Sequence, residues 1–142
     1  MQTVLKDNPG DEVRAYIVWL PMFAGDTKAR AQVRMEEFSD ERVRHFWDGE
    51  RFTGAIWQRV LDVGRLAWDV YFLYDPDAGW EREPAAPDFW MHQLGGVEKG
   101  LHLDRTVFSR QLKEMLAAAT SDSAEAIDSA HSQTVPVSKG TD

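Results

Sequence analysis

The stretch Val13 to Leu20, VRAYIVWL, decides how this chain is read. From Ala15 onward it is apolar on both alternating faces, the pattern of a strand covered on two sides, and Pro21, which has no N–H to donate, ends it. We take it as a central strand. Upstream, Met1 to Asp7 has helix-compatible residues and stops at Asn8, Pro9 and Gly10, so it reads as the end of a helix. So short a helix is unstable alone and must dock or be the remnant of a longer one. Downstream, residues 24–40 form a polar connection with a short helix from Lys28 to Phe38.

The remaining elements follow from periodicity. Phe52, Ile56, Val60 and Val63 recur at helical spacing and predict one packed face, with Gly64 where the helix stops. Trp68 to Asp75, WDVYFLYD, alternates in strand fashion and ends at the turn cluster Pro76, Asp77, Ala78 and Gly79. Beyond Pro84 and Pro87, Phe89 to Leu94, FWMHQL, reads as a further strand closed by Gly95 and Gly96, pairing with the preceding one as an antiparallel hairpin. A last helix starts at Asp104, whose carboxylate can cap it, and carries Val107, Phe108, Leu112, Met115, Leu116 and Ala119 on one face. The order predicts a layered α/β domain over residues 1–119. Its first two strands, Val13 to Leu20 and Trp68 to Asp75, would be joined by a crossover and run parallel.

Composition bounds the function. The 142 residues carry a net charge of −8 and 43% hydrophobic residues, which fits one globular domain and argues against nucleic acid, whose binding depends on basic side chains displacing counterions. The longest apolar run, Ala15 to Leu20, is far too short to span a bilayer. With no signal peptide at its start, the chain is expected in the cytoplasm. After Ala119 the composition turns to Ser, Thr, Ala and Asp, and residues 120–142 read as a disordered acidic tail. Cysteine is absent, so thiolate metal sites and dithiol chemistry are closed to this chain alone. All six tryptophans lie between Trp19 and Trp90.

The segments RAYIVWLPM, RVRHFWD and AWDVYFLYDPDAGW, with the closing helix, resemble a group of bacterial thioredoxin-like proteins over about Arg14 to Ala118. The resemblance implies a thioredoxin-like layered α/β domain, a central mixed sheet with flanking helices, truncated at its N-terminus. In longer members of that group a strand and a CxxC-bearing helix come first, and Met1 to Asp7 would then be the tail of that helix. Both cysteines are missing here. Where thioredoxins place a cis-proline before the hairpin, this chain has Leu66, Ala67 and Trp68.

Among polar clusters, Asp40 to Asp48, DERVRHFWD, is the densest, and His45 and Asp48 have the spacing that shares a helical face. With Asp69 and His92 they could make a mixed imidazole and carboxylate metal set. The better-supported reading is a turn at Asp48 and Gly49, with His45 bonded to backbone. Asp69, flanked by rings, calls for an ion pair with Arg42, Arg44 or Arg65, and His92 for a structural role. Ser39 and Ser109 have no nucleophile setting, Gly95, Gly96 and Gly100 form no phosphate loop, and His102 and His131 are expected in solvent.

No catalytic residue, cofactor or metal is assigned. The expectation is a non-redox binding or interaction module whose recognition surface comprises His45, Trp47, Asp48, Trp68, Asp69, Trp90 and His92, for an unidentified protein or small-molecule ligand. The alternative is the C-terminal portion of a thiol-disulfide oxidoreductase whose CxxC segment lies upstream of Met1. A strand missing beside Val13 to Leu20 would leave an edge open to homodimerisation.

Overall fold

Ala15 to Trp19 are β-branched, aromatic or small, and they form β1 in the computed structural model, which describes residues 2–10 and 12–132 and, for side chains, residues up to 121. Before it stands α1 (Gln2–Asp7). After it come α2 (Lys28–Glu37), started by Thr27, whose Oγ1 accepts the Arg30 N–H at 3.3 Å, and β2 (Val43–Trp47). The chain continues through α3 (Phe52–Val60), β3 (Val70–Leu73), β4 (Phe89–His92), β5 (Leu101–His102) and α4 (Arg105–Ser132). This is a mixed α/β architecture with two small sheets and four helices among the described residues.

β1 pairs in parallel with β2, Ala15 opposite Val43 through Trp19 opposite Trp47, in a two-stranded sheet. That corrects two expectations. β1 is neither central nor covered on both faces: Tyr16 is 69% exposed and rests near Phe46, ring centroids 6.4 Å apart, on the outer face. Its apolar pattern reflects cross-strand aromatic contact rather than burial. Its parallel partner is β2, not the strand at Trp68 to Asp75. β2 passes unseen in the sequence because Arg44 and His45 interrupt its apolar residues, yet inward Val43 is buried and outward Arg44 and Phe46 are exposed.

The hairpin is as expected. β3 and β4 run antiparallel, Val70 opposite His92 through Leu73 opposite Phe89, and β5 adds in parallel beside β4. Alternation along β3 separates two cores. Leu73 and Met91 pack with Val4, Phe108 and Leu112 from α1 and α4, whereas Val70, Phe72 and Trp90 pack with Leu61, Val63, Ala67 and Trp57 at and beyond α3. Helices therefore cover both faces of this sheet.

Of the face that periodicity suggested around α3, Val63 is buried and Ile56 and Val60 are half-buried, while Phe52 departs from it. Phe52 is exposed and Gly54 is buried, because a Cβ at Gly54 would stand 3.0 Å from the Ala67 carbonyl, Leu20 Cδ2 and Leu66 Cγ. Only a hydrogen there lets the helix approach the end of β1 and the entrance to β3 together. Helix α4 starts as predicted, with Asp104 Oδ1 accepting the Thr106 and Val107 N–H groups at 2.8 and 3.1 Å. It does not stop at Ala119 but continues to Ser132, so the tail expected over 120–142 is helical through that residue. Thr120 and Ser121 turn their hydroxyls back to the Leu116 and Ala117 carbonyls, which leaves the helix intact. Residues 133–142 lie outside the described residues. Among the described residues no helix is long and apolar enough to cross a membrane.

Candidate functional site

The residues singled out from the sequence have structural partners and do not assemble into one site. On β2, His45 Nδ1 accepts the Trp19 indole N–H at 3.2 Å and Nε2 faces the Phe38 carbonyl at 3.0 Å, a pattern that needs the neutral Nε2–H tautomer. The backbone bond foreseen for His45 is present. The helical spacing with Asp48 is not, since in a strand a three-residue offset turns side chains to opposite faces. Asp48 instead starts α3, Oδ2 accepting the Thr53 N–H at 2.7 Å and its hydroxyl at 2.6 Å. Burial pushes the Asp48 carboxyl up, but these bonds and further N–H groups of the turn outweigh it and hold it below the usual carboxylate range.

Asp69 does not pair with an arginine as expected. It accepts the Tyr71 hydroxyl at 2.8 Å, while Arg42 binds Asp40, Arg44 reaches the Glu41 carbonyl and Arg65 the Gly95 carbonyl. Burial and then that carboxylate push the Tyr71 phenol well up. His92, 1% exposed, closes the chain locally: Nδ1 accepts the Leu94 N–H at 3.0 Å, and the ring also bonds the Lys99 backbone. Burial, then neighbouring His102, pull its pKa down against the Lys99 bond and the Asp69 charge.

The tryptophans are likewise dispersed. Trp90 is packed into the α3-side core, with Gly100 at φ 86° so close that a Cβ would enter the indole. Trp68 stands edge-on to Phe23, centroids 5.7 Å apart, and Trp47 lies against Gly49. Among the described residues no ring contact joins Trp47, Trp68 and Trp90, so no single patch of that membership is seen. Nor does any group of three His, Asp or Glu side chains converge to hold a metal among those residues.

What does assemble is a cluster the sequence reading passed over: Trp57 from α3, Phe72 and Tyr74 on and just after β3, and Trp80 beyond the turn. Trp57 lies 4.3 Å from Phe72, and Trp80 meets Trp57 and Tyr74 edgewise, both at 5.9 Å. The available signal was Phe72 and Tyr74 two apart on one strand face, with Trp80 behind a turn that carries it back. A groove of about 250 Å³ opens beside the cluster, walled by Thr53, Ile56 and Trp57 on one side and by Trp80, Glu81, Arg82, Glu83 and Pro84 on the other. The loop wall is held in place, since Tyr74 Oη donates to the Ala85 carbonyl at 2.8 Å, Arg59 binds Glu83 at 2.6 Å and Asp88 Oδ2 accepts the Asp75 N–H at 3.0 Å. Burial, and the Asp88 carboxylate after it, push Tyr74 up to about 12, so the phenol is a neutral donor at any physiological pH. Trp80 is 59% exposed in this otherwise tied wall. Its lining offers ring faces, a proline, two carboxylates, the Arg82 guanidinium and the Thr53 hydroxyl, which donates to Asp48.

A larger depression of about 650 Å³ between residues 62–65 and 95–99 is lined mainly by polar loop, in which Lys99 pairs with Asp62 at 3.1 Å and Arg65 donates to the Gly95 carbonyl at 2.7 Å. Comparison with protein-family models, with curated proteins and with solved structures finds no match to this chain.

Proposed function

We propose that this chain is a non-redox binding module that grips an extended segment of another protein in the groove beside Trp57, Tyr74 and Trp80. The observation that carries the reading is Trp80: a large ring left 59% exposed on a wall fixed by hydrogen bonds at both ends. Rigid, partly exposed indoles beside a cleft are the residues that supply most of the energy at protein interfaces, because they bury much area with little ordering cost. At about 250 Å³ the groove falls below the range of small-molecule sites, which begins near ~300 Å³, and favours a side chain of a larger partner over a free metabolite.

The thioredoxin-like layering belongs to the same proposal. The order β1, α2, β2, α3, β3, β4, β5, α4, with a parallel pair followed by an antiparallel pair and helices on both faces of the second sheet, supports it. A role in thiol–disulfide exchange would need thiols from another segment or chain, since none of these 142 residues is cysteine.

The test is selection of a displayed random-peptide library on the wild-type protein, counter-selected on Trp80→Ala. Sequences that bind the first and not the second support the module. A library that returns no binder distinguishing the two, with Trp80→Ala folded by far-UV circular dichroism, overturns it.

A second reading concerns assembly. Among the described residues β1 has a ladder partner on one edge only, and its residues Ala15 to Trp19 carry no charge that would repel a second strand. We infer edge-to-edge homodimerisation, which sedimentation equilibrium tests; a monomer at high micromolar concentration refutes it.

A further inference from the structure

We propose that the groove selects a basic side chain, a lysine or arginine presented by an extended peptide, held over the open part of Trp80 with Glu81 beside it. The inference rests on the binding-module reading above and names the chemistry of its ligand. Three observations carry it. First, Trp80 packs at steep angles, 74° and 63°, against its two ring neighbours and is still 59% exposed, so indole surface faces solvent where a cation can lie on it. Second, the connection from β3 to β4 that forms this wall, residues 75–88, holds Asp75, Asp77, Glu81, Glu83 and Asp88 against the single cation Arg82, so half of the chain's net charge of −8 is concentrated here. Third, Arg82 lines the groove with Glu81, and Arg59 reaches it from α3 and is engaged by Glu83 at 2.6 Å. The negative excess that draws a cation is therefore that of the 75–88 connection as a whole, −3 once Arg59 is counted.

Field and ring act in the same direction. A carboxylate-rich rim draws a cation toward the surface, and the indole replaces part of its hydration at a site too small for a bulky ligand. An acidic peptide would meet the same rim as repulsion, so the groove discriminates by sign as well as by shape. The long aliphatic stem of lysine or arginine would lie along Ile56 and Pro84, which supply the apolar lining.

The experiment follows the six indole N–H resonances by NMR while glycine–serine peptides carrying arginines, lysines, glutamates or leucines are titrated into the full chain. The arginine and lysine peptides are expected to shift the Trp80 and Trp57 signals and to lose affinity as salt rises. Glu81→Lys is expected to weaken arginine-peptide binding by about tenfold, since it removes an attraction and adds a repulsion. Glu98→Lys makes the same change in net charge away from the groove and is expected to leave binding within about twofold, which separates a local effect from overall charge. Shifts produced by the leucine or glutamate peptide but not by the basic ones would overturn the basic-side-chain assignment while leaving the binding groove standing. Silence of both indoles toward all four peptides would overturn the groove together with this assignment, and equal weakening by Glu81→Lys and Glu98→Lys would reduce it to bulk electrostatics.

Discussion

Replacing Arg42 with methionine should remove the hydrogen-bonded tie between the end of α1 and the α2–β2 connection and destabilise the fold, although Val4 keeps α1 packed on the core. The guanidinium, 10% exposed, donates to the Asn8, Gly10 and Leu5 carbonyls at 2.6, 2.9 and 3.1 Å and grips Asp40 through Nε and Nη2 at 3.0 and 2.8 Å. Those carbonyls belong to the end of α1 and the turn after it, which have few other ties to the α2–β2 connection. Methionine keeps the stem's apolar packing and removes the donors. Bonds to a charged donor contribute roughly 1.5–3 kcal/mol each, but carbonyls freed near the surface recover part of this from water, so about 3 kcal/mol is expected for the set of three. The ion pair with Asp40, a quarter exposed on the carboxylate side, is left out of that figure because solvent screens it. Against a total of about 5–15 kcal/mol the loss is large. Urea unfolding followed by tryptophan fluorescence should show the midpoint lowered by roughly 1–2 M at unchanged slope. Arg42→Lys should recover no more than one of the three carbonyl bonds. A methionine variant within about 0.5 kcal/mol of wild type, the ordinary range for an inert surface position, would refute the reasoning.

Three further outcomes are expected. The Arg42 side-chain and backbone hydrogen bonds hold Asp40 at about 2, below its ordinary 3.8, so its contribution to stability is complete above pH 3.8 and drains away as pH falls toward 2. Asp40→Asn should flatten the stability profile in that window, and an unchanged acid limb in urea titrations would contradict it. His92 is held below 6.5 by burial, so the fold favours the neutral ring, and stability present above pH 6.5 should decline below it. An imidazole NMR titration of His92 with a midpoint at or above 6.5 would contradict this. Gly100→Ala combines φ 86° with a collision against the Trp90 ring, whereas Gly96→Ala, at φ 71° with open space around it, bears the backbone cost alone. Gly96→Ala should therefore lose about 1–2 kcal/mol and Gly100→Ala appreciably more, a ranking that equal thermal midpoints would overturn.

How much of this was legible in the sequence follows from what each signal depends on. The hairpin could be read because Val70 to Leu73 and Phe89 to His92 alternate locally and are separated by turn residues. The start of α4 could be read because an N-cap acts on N–H groups two and three residues away, and Asp104 does so. β2 could not, since Arg44 and His45 become ordinary strand residues only once β1 supplies the ladder. The burial of Gly54 in α3 was not legible for a related reason: glycine carries no hydrophobic signal, and its burial arises from where Leu20 and Ala67 arrive.

By itself, then, the sequence determined the mixed α/β class, most element positions, the absence of any thiol, and a net charge of −8. Those are properties of composition and of spacings shorter than about one element. Tertiary structure alone decided which strands pair, that His45 and His92 are consumed in hydrogen bonds, and that Trp57, Tyr74 and Trp80 form one ring cluster. Each depends on residues far apart in the chain being brought within a few ångströms, and a side chain's chemistry is set by the neighbours it meets there.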